Sequence, residues 1–312
     1  MIEFYSNNQG RLEKTELPVA GSWVNCVNPT ESEFAFLVDT MKFEADFIRA
    51  ALDSEETSRI EKENDQVLVV VDYPTMTEDD TQEHTVQYST MPMAFITQKG
   101  YVLTVCLEDN NVIDDIKNNR LKGIQTSLKT QFIFKVLLSI AKRYLIYLRQ
   151  IDRLSLKTER QLHQSMRNKE LIQLLGLEKS LVYFSTSLKS NEGTITKLMR
   201  GRYLKLYEED EDLLEDVLIE IQQAIEMSNI YANILSGTMD AFASIISNNL
   251  NIVMKVLTSL TIVMAIPNIV FGFYGMNVMN LPYASLWWMP LIVTSLLCIV
   301  CAVILYQKNL FK

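Results

Sequence analysis

From Val256 to Gln307 the chain contains no Asp, Glu, Lys or Arg, whereas charged residues are frequent from Met1 to Lys255. Within the uncharged stretch, 256–274 and 286–306 are each about 20 residues of mainly Leu, Ile, Val, Met, Phe and Trp, the length an α-helix needs to cross a bilayer. A soluble helix of that length normally carries a polar face, so the pattern predicts two membrane spans joined by the short connector 278–285.

Upstream the apolar pattern is that of an α/β domain. Ser22–Val27 reads as a strand, and Thr30 followed by Glu33 forms a capping box that opens a helix through Phe34, Leu37 and Met41. Val-rich Gln66–Tyr73 reads as a second strand. Thr85–Ile96 and Tyr101–Leu107 flank Gln98-Lys99-Gly100 as a hairpin, which gives a mixed sheet. Beyond Asn110 strand signals stop, and apolar residues recur at helical spacing in Phe132–Leu162 and Leu171–Met199, with Asn191-Glu192-Gly193 as the candidate turn.

From about Arg202 no Pro interrupts the chain until Pro267. Leu214, Val217, Ile221, Ala224, Ser228, Tyr231 and Leu235 begin a coiled-coil-like seam that continues through Val256 into the first span. An unbroken helix from Tyr203 to Tyr274 would reach on the order of 100 Å, too long for a globular core, and reads as a stalk. A helix pair hinged near Gly237 is the alternative. The expected organisation is an α/β domain over 1–128, helices over 129–200, a stalk helix over 201–255 and a transmembrane domain with a short tail over 256–312.

Charge adds sidedness. The start, MIEFYSNNQGRLEKTEL, has no apolar run and so no signal peptide. The bulk of the chain is expected in the cytoplasm, and two spans return both termini to that side of a cell membrane. Lys255, Lys308 and Lys312 flank the spans on this side, while the connector has neither Lys nor Arg. The net charge of −9 over 312 residues resides in the soluble part, which argues against nucleic acid and suits cation sensing.

Four cysteines, Cys26, Cys106, Cys298 and Cys301, make no disulfide framework, the last two reading as small apolar fillers of a span. Two distant histidines, His84 and His163, and the lack of a phosphate-cradling Gly loop leave enzyme chemistry without a nucleus.

Along the stalk and first span, Asn251, Met254, Leu257, Thr261, Ala265, Asn268 and Gly272 recur every three or four positions and share one face. That face is small, polar or flexible, and suits either a pore or ordinary helix packing. Asn268, next to Pro267, adds a polar amide and a freed carbonyl at membrane depth, and both need partners. Ile262, Ile266, Val270 and Phe273 form a bulkier opposite side, suited to lipid or the second span.

Tyr274-Gly275-Met276-Asn277 closes the first span, after a large acidic domain and before a short connector and second span. In motif and plan the chain resembles the CorA family of magnesium and cobalt channels. The resemblance implies a homopentamer in which the first spans line the pore and Asn277 residues ring its outer mouth. It carries the positions from Asn251 to Gly272 over as pore lining. Mg²⁺ gives up its water reluctantly, so a readily reversible site should hold the hydrated ion through neutral oxygens, such as Asn277 side chains and Gly275 carbonyls.

The resemblance also implies that cytoplasmic Mg²⁺ holds the pore shut by bridging acidic residues of neighbouring domains. Asp53, in Ala51-Leu52-Asp53, and Asp216 are the candidates, although Glu208–Asp216 also reads as a solvated acidic helix start. The chain departs from the family's pattern in four places. Asn268 stands where many relatives have Thr, Ala265 replaces a bulkier residue, Asn280-Leu281-Pro282-Tyr283 lacks a glutamate, and the tail lacks a lysine run. Zn²⁺-moving relatives usually have Ile where Met276 stands, so Mg²⁺ and Co²⁺ are the expected cargo. Zn²⁺ transport or a non-conducting sensory oligomer are the alternatives.

Overall fold

The computed structural model describes residues 1–8, 10–78, 86–165, 168–277 and 286–308. His84, Thr85, the connector 278–285 and the tail 309–312 lie outside these residues. The chain divides into two compact units, Met1–Ser236 and Gly237–Lys312.

In the first unit, strands β1 (Ile2–Asn8), β2 (Arg11–Thr15), β3 (Ser22–Val27), β4 (Arg59–Glu63), β5 (Gln66–Glu78), β6 (Val86–Gln98) and β7 (Tyr101–Cys106) form one sheet in the order β2-β1-β3-β7-β6-β5-β4. β3 and β7 run parallel and the other neighbours antiparallel, so the sheet is mixed. The outer strands, RLEKT and RIEKE, escape a reading based on apolar runs because edges that must not pair further carry charge.

One face of the sheet buries Val24, Cys26, Leu68, Val70, Ile96 and Val105 against Leu37, Phe43, Phe47 and Ile48. These last come from a helical segment that opens as predicted: the Thr30 hydroxyl accepts from the Glu33 N–H, and the Thr30 N–H donates to the Glu33 carboxylate at 2.9 Å. Instead of one helix through Met41, α1 (Glu31–Ala35) widens into a π-helical turn, Phe36–Thr40, before α2 (Ala45–Ala50). The other face carries α3 (Asn111–Lys117), α4 (Lys129–Ser165) and α5 (Asn168–Met199), with Trp23 against Phe132 at 5.4 Å between ring centres.

The expected turn at Asn191-Glu192-Gly193 is the interior of α5, and the chain turns instead at Gly201, where φ is +65°. The reason lies in the sheet. β4 ends opposite Val70, so β5 overhangs it from Val71 onwards. The bare Asp72 backbone is closed by the Asn191 amide, which accepts from its N–H at 2.9 Å and donates to its carbonyl at 2.8 Å. An Asn that reads as a turn residue is here a substitute for a missing strand. β6 overhangs β7 likewise, and the Ser180 hydroxyl accepts from the Tyr88 N–H at 3.1 Å.

Next comes α6 (Glu208–Tyr274), a single helix without a break at Gly237. The first half of its seam is already occupied. Leu214, Val217, Ile221, Ala224, Ser228 and Leu235 are buried, and the Ser228 hydroxyl donates to the Leu181 carbonyl of α5 at 3.0 Å. Gln222 reaches Glu192 at 3.0 Å and Ser185 reaches Asn229 at 3.1 Å. Up to Leu235, then, the periodicity serves packing within one chain. The second unit holds the rest of α6 and α7 (Met289–Gln307), both long and apolar enough to cross a membrane. α7 starts three residues later than the pattern predicts, with Pro290 in its first turn, where the missing N–H costs nothing.

Candidate ion pathway

Which face of α6 meets α7 follows from one contact. The Cys298 thiol lies 3.9 Å from the Val263 carbonyl oxygen. Ser259 and Val270, which share the face of Val263 at helical spacing, are the buried residues of this part of α6. Ile266 is half-buried beside them.

The residues expected to line a pore lie roughly half a turn round the helix from that face. Asn251, Met254, Leu257, Thr261, Asn268 and Gly272 are exposed, and Ala265 is half-exposed. α7 therefore leaves the small and polar stripe uncovered. The Thr261 hydroxyl donates to the Leu257 carbonyl at 2.8 Å, so its proton is spent within the helix and its lone pairs are what it can offer outward. With Asn251 and Asn268, the stripe offers neutral oxygens and no ionised group.

α6 ends at Tyr274, whose ring packs edge-on against Phe273 at 5.7 Å. The Gly275 N–H donates to the Phe271 carbonyl at 2.9 Å and the Met276 N–H to the Phe273 carbonyl at 3.4 Å. A Cβ at position 275 would stand 3.0 Å from the Phe271 oxygen, so this tight exit from the helix favours glycine. Asn277 and Met276 are exposed immediately beyond. The last carbonyls of a helix lack intrahelical donors and carry partial negative charge. The motif thus stands where the helix itself attracts cations.

Asp53 and Asp216 are both exposed. Asp53 caps a local turn, accepting from the Glu55 N–H at 3.0 Å, and Asp216 projects from α6 beside the buried Leu214 and Val217. Among the described residues of the single chain, no three His, Cys, Asp or Glu side chains gather to hold a metal. Sequence reasoning missed the part Cys298 plays, although the carbonyl freed by Pro267 was a signal that some donor must lie nearby.

The profile of the CorA-like Mg²⁺ transporter protein family matches residues 20–307. Cobalt/magnesium transport protein CorA of Methanocaldococcus jannaschii is 27% identical over 273 residues, 84% of this chain and 82% of its own length. Magnesium transport protein CorA of Campylobacter jejuni is 22% identical over 300 residues, 92% of this chain and 90% of its own. The solved complete structure of the M. jannaschii CorA magnesium transporter superposes with a TM-score of 0.78 at 22% identity, covering 99% of this chain and 96% of that one. Its fold is the one described above.

Proposed function

Because the chain belongs to the CorA-like Mg²⁺ transporter family, we propose that it is a homopentameric channel that admits hydrated Mg²⁺, and Co²⁺, into the cell. Both termini and the whole unit Met1–Ser236 lie in the cytoplasm. Residues 256–274 of α6 and the helix α7, Met289–Gln307, span the cell membrane, and copies of α6 surround the pathway.

The observation that carries this reading is the uncovered stripe from Asn251 to Gly272, turned away from α7 and ending at Tyr274-Gly275-Met276-Asn277. The amides of Asn251 and Asn268 in that stripe would be costly against lipid but suit a water-filled axis. At its mouth, Asn277 amides and helix-end carbonyls exchange hydrogen bonds with the hydration shell rather than stripping it, which lets the ion leave again. Met254 and Leu257 supply the apolar constriction that such a pathway needs to close by dewetting.

Closure is set by cytoplasmic Mg²⁺. Asp53 of one copy and Asp216 of its neighbour, both exposed, would be drawn together by the ion, and its removal would let like charges part. The acidic soluble part supplies the carboxylates, and no nucleic acid is involved.

Mg²⁺ uptake into liposomes tests the proposal, comparing the native protein with Asn277→Ala at equal abundance and assembly. Flux in the native protein and its loss in the variant are expected. Equal flux in both would remove Asn277 from the filter, and no flux in either, across a range of internal Mg²⁺, would end the channel reading.

A further inference from the structure

β3 and β7 are parallel neighbours whose chains leave their carboxyl ends towards opposite faces of the sheet. β3 leads to α1 and the Leu37 and Phe47 side, whereas β7 leads to α3 on the side of Trp23 and Phe132. In open α/β sheets that divergence opens a crevice fit for a ligand. Here the crevice is a cavity of about 690 Å³, lined by Glu3, Asn25, Glu108, Asp109, Asp114 and Lys117 among others.

Asn25 is the most deeply buried polar side chain of this lining, 1% exposed, with its amide nitrogen unpartnered. Its orientation follows from a relay. The Trp23 indole N–H donates to the Thr104 hydroxyl at 2.8 Å, and that hydroxyl has two acceptors within reach, Asn25 Oδ1 at 3.0 Å and the Val24 carbonyl at 3.4 Å, the nearer being the amide. Oδ1 is thereby engaged, and the NH₂ group of this lining residue is left without a partner. Buried amide donors are almost always paired, so this one asks for an acceptor oxygen.

The mouth asks for the opposite. Glu108 and Asp109 are exposed there and Asp114 is half-exposed. Glu3 is already satisfied by Lys14 at 2.7 Å and Lys117 at 2.8 Å, while Lys117 stands 3.8 Å from Asp109. Three carboxylates thus share the outer part of the cavity with two ammoniums, both already committed: Lys117 to Glu3, and the Met1 N-terminus to Glu33 at 3.2 Å. A phosphate compound would meet those carboxylates. A chelated metal ion would meet the Asn25 donor, and no metal-holding group of three side chains forms among the described residues.

We propose that this crevice binds a small organic cation that also carries an acceptor oxygen, of the basic amino-acid type. The oxygen end accepts from Asn25 Nδ2 beside Lys117, and the cationic end rests on Glu108, Asp109 and Asp114. The site lies wholly in the first unit and does not depend on conduction.

Calorimetric titration of the full-length protein in detergent with L-arginine tests this, alongside agmatine, which keeps the guanidinium but lacks the carboxylate. Arginine binding is expected, at least tenfold tighter than agmatine. A loss of tenfold or more is expected in the surface variant Glu108→Gln/Asp109→Asn, in which only charge changes. Asn25→Leu should abolish the preference for arginine over agmatine, with an unchanged unfolding temperature as the control for folding. No arginine binding, equal binding of the two compounds, or binding unaffected by the surface variant would each overturn the proposal.

Discussion

The thiol of Cys298 stands 3.9 Å from the carbonyl of Val263, the residue four positions before Pro267. Proline has no N–H to give that carbonyl, and in an apolar medium an unpaired carbonyl is costly. The second helix therefore supplies a donor, weak but correctly placed. Cys298→Val, which keeps the position filled and apolar but removes the donor, should destabilise the detergent-solubilised protein by about 0.5–1 kcal/mol. Cys298→Ser should recover that loss or exceed it, and thermal unfolding of the three proteins would show whether the order holds.

Gly275→Ala places a methyl group 3.0 Å from the Phe271 carbonyl oxygen. The exit from α6 must then open by a few tenths of an ångström, which shifts the carbonyl and Asn277 positions together. The expected outcome is a several-fold fall in Mg²⁺ flux with little change in unfolding temperature. A variant with native flux would mean that the close approach has no bearing on conduction.

Asn191→Ala removes both hydrogen bonds to the Asp72 backbone and leaves a buried N–H without a partner, the carbonyl keeping only the Tyr144 hydroxyl at 3.2 Å. A loss of about 1–3 kcal/mol is expected, visible as a lower unfolding temperature. Asn191→Asp should be worse than Ala near neutral pH, since it forfeits the donor and brings a charge beside Asp72.

Burial raises the Asp72 carboxyl from 3.8 to about 6, against a smaller opposing effect of the Ser187 hydroxyl. A carboxylic acid that binds its proton more tightly when folded favours the folded state at low pH. From this group alone, stability falls as pH rises from about 4 to 6 and is level above, a loss of about 2–3 kcal/mol. Asp72→Asn should remove that slope. Unfolding temperatures of both proteins across this window would decide it, and parallel curves would count against the assignment.

The two long apolar helices, the capped first helix and the strands at Ser22 and Gln66 were legible because each rests on local chemistry: apolar length, a Thr-x-x-Glu spacing, a run of valines. What stayed hidden depends on partners distant in sequence. Nothing around Asn191 says that Asp72 lacks a strand beside it, and nothing around Phe36 announces a π-helical turn. The stripe from Asn251 to Gly272 was visible as a periodicity, yet only the Cys298–Val263 contact shows that it faces away from the second helix. The seam from Leu214 to Leu235 was equally visible, but α5 of the same chain occupies it.

The amide of Asn191 and the hydroxyl of Ser180 also bear on crowding. Membrane proteins are confined to two dimensions, so the local concentration of their soluble parts is high and collisions between like surfaces are frequent. A bare, overhanging β5–β6 ribbon would be a template on which a neighbouring copy could add a strand. With the Asp72 backbone and the Tyr88 N–H taken up by α5, the root of the ribbon on each edge is closed to a neighbour's strand, and copies can stand close together in the bilayer with less chance of strand exchange.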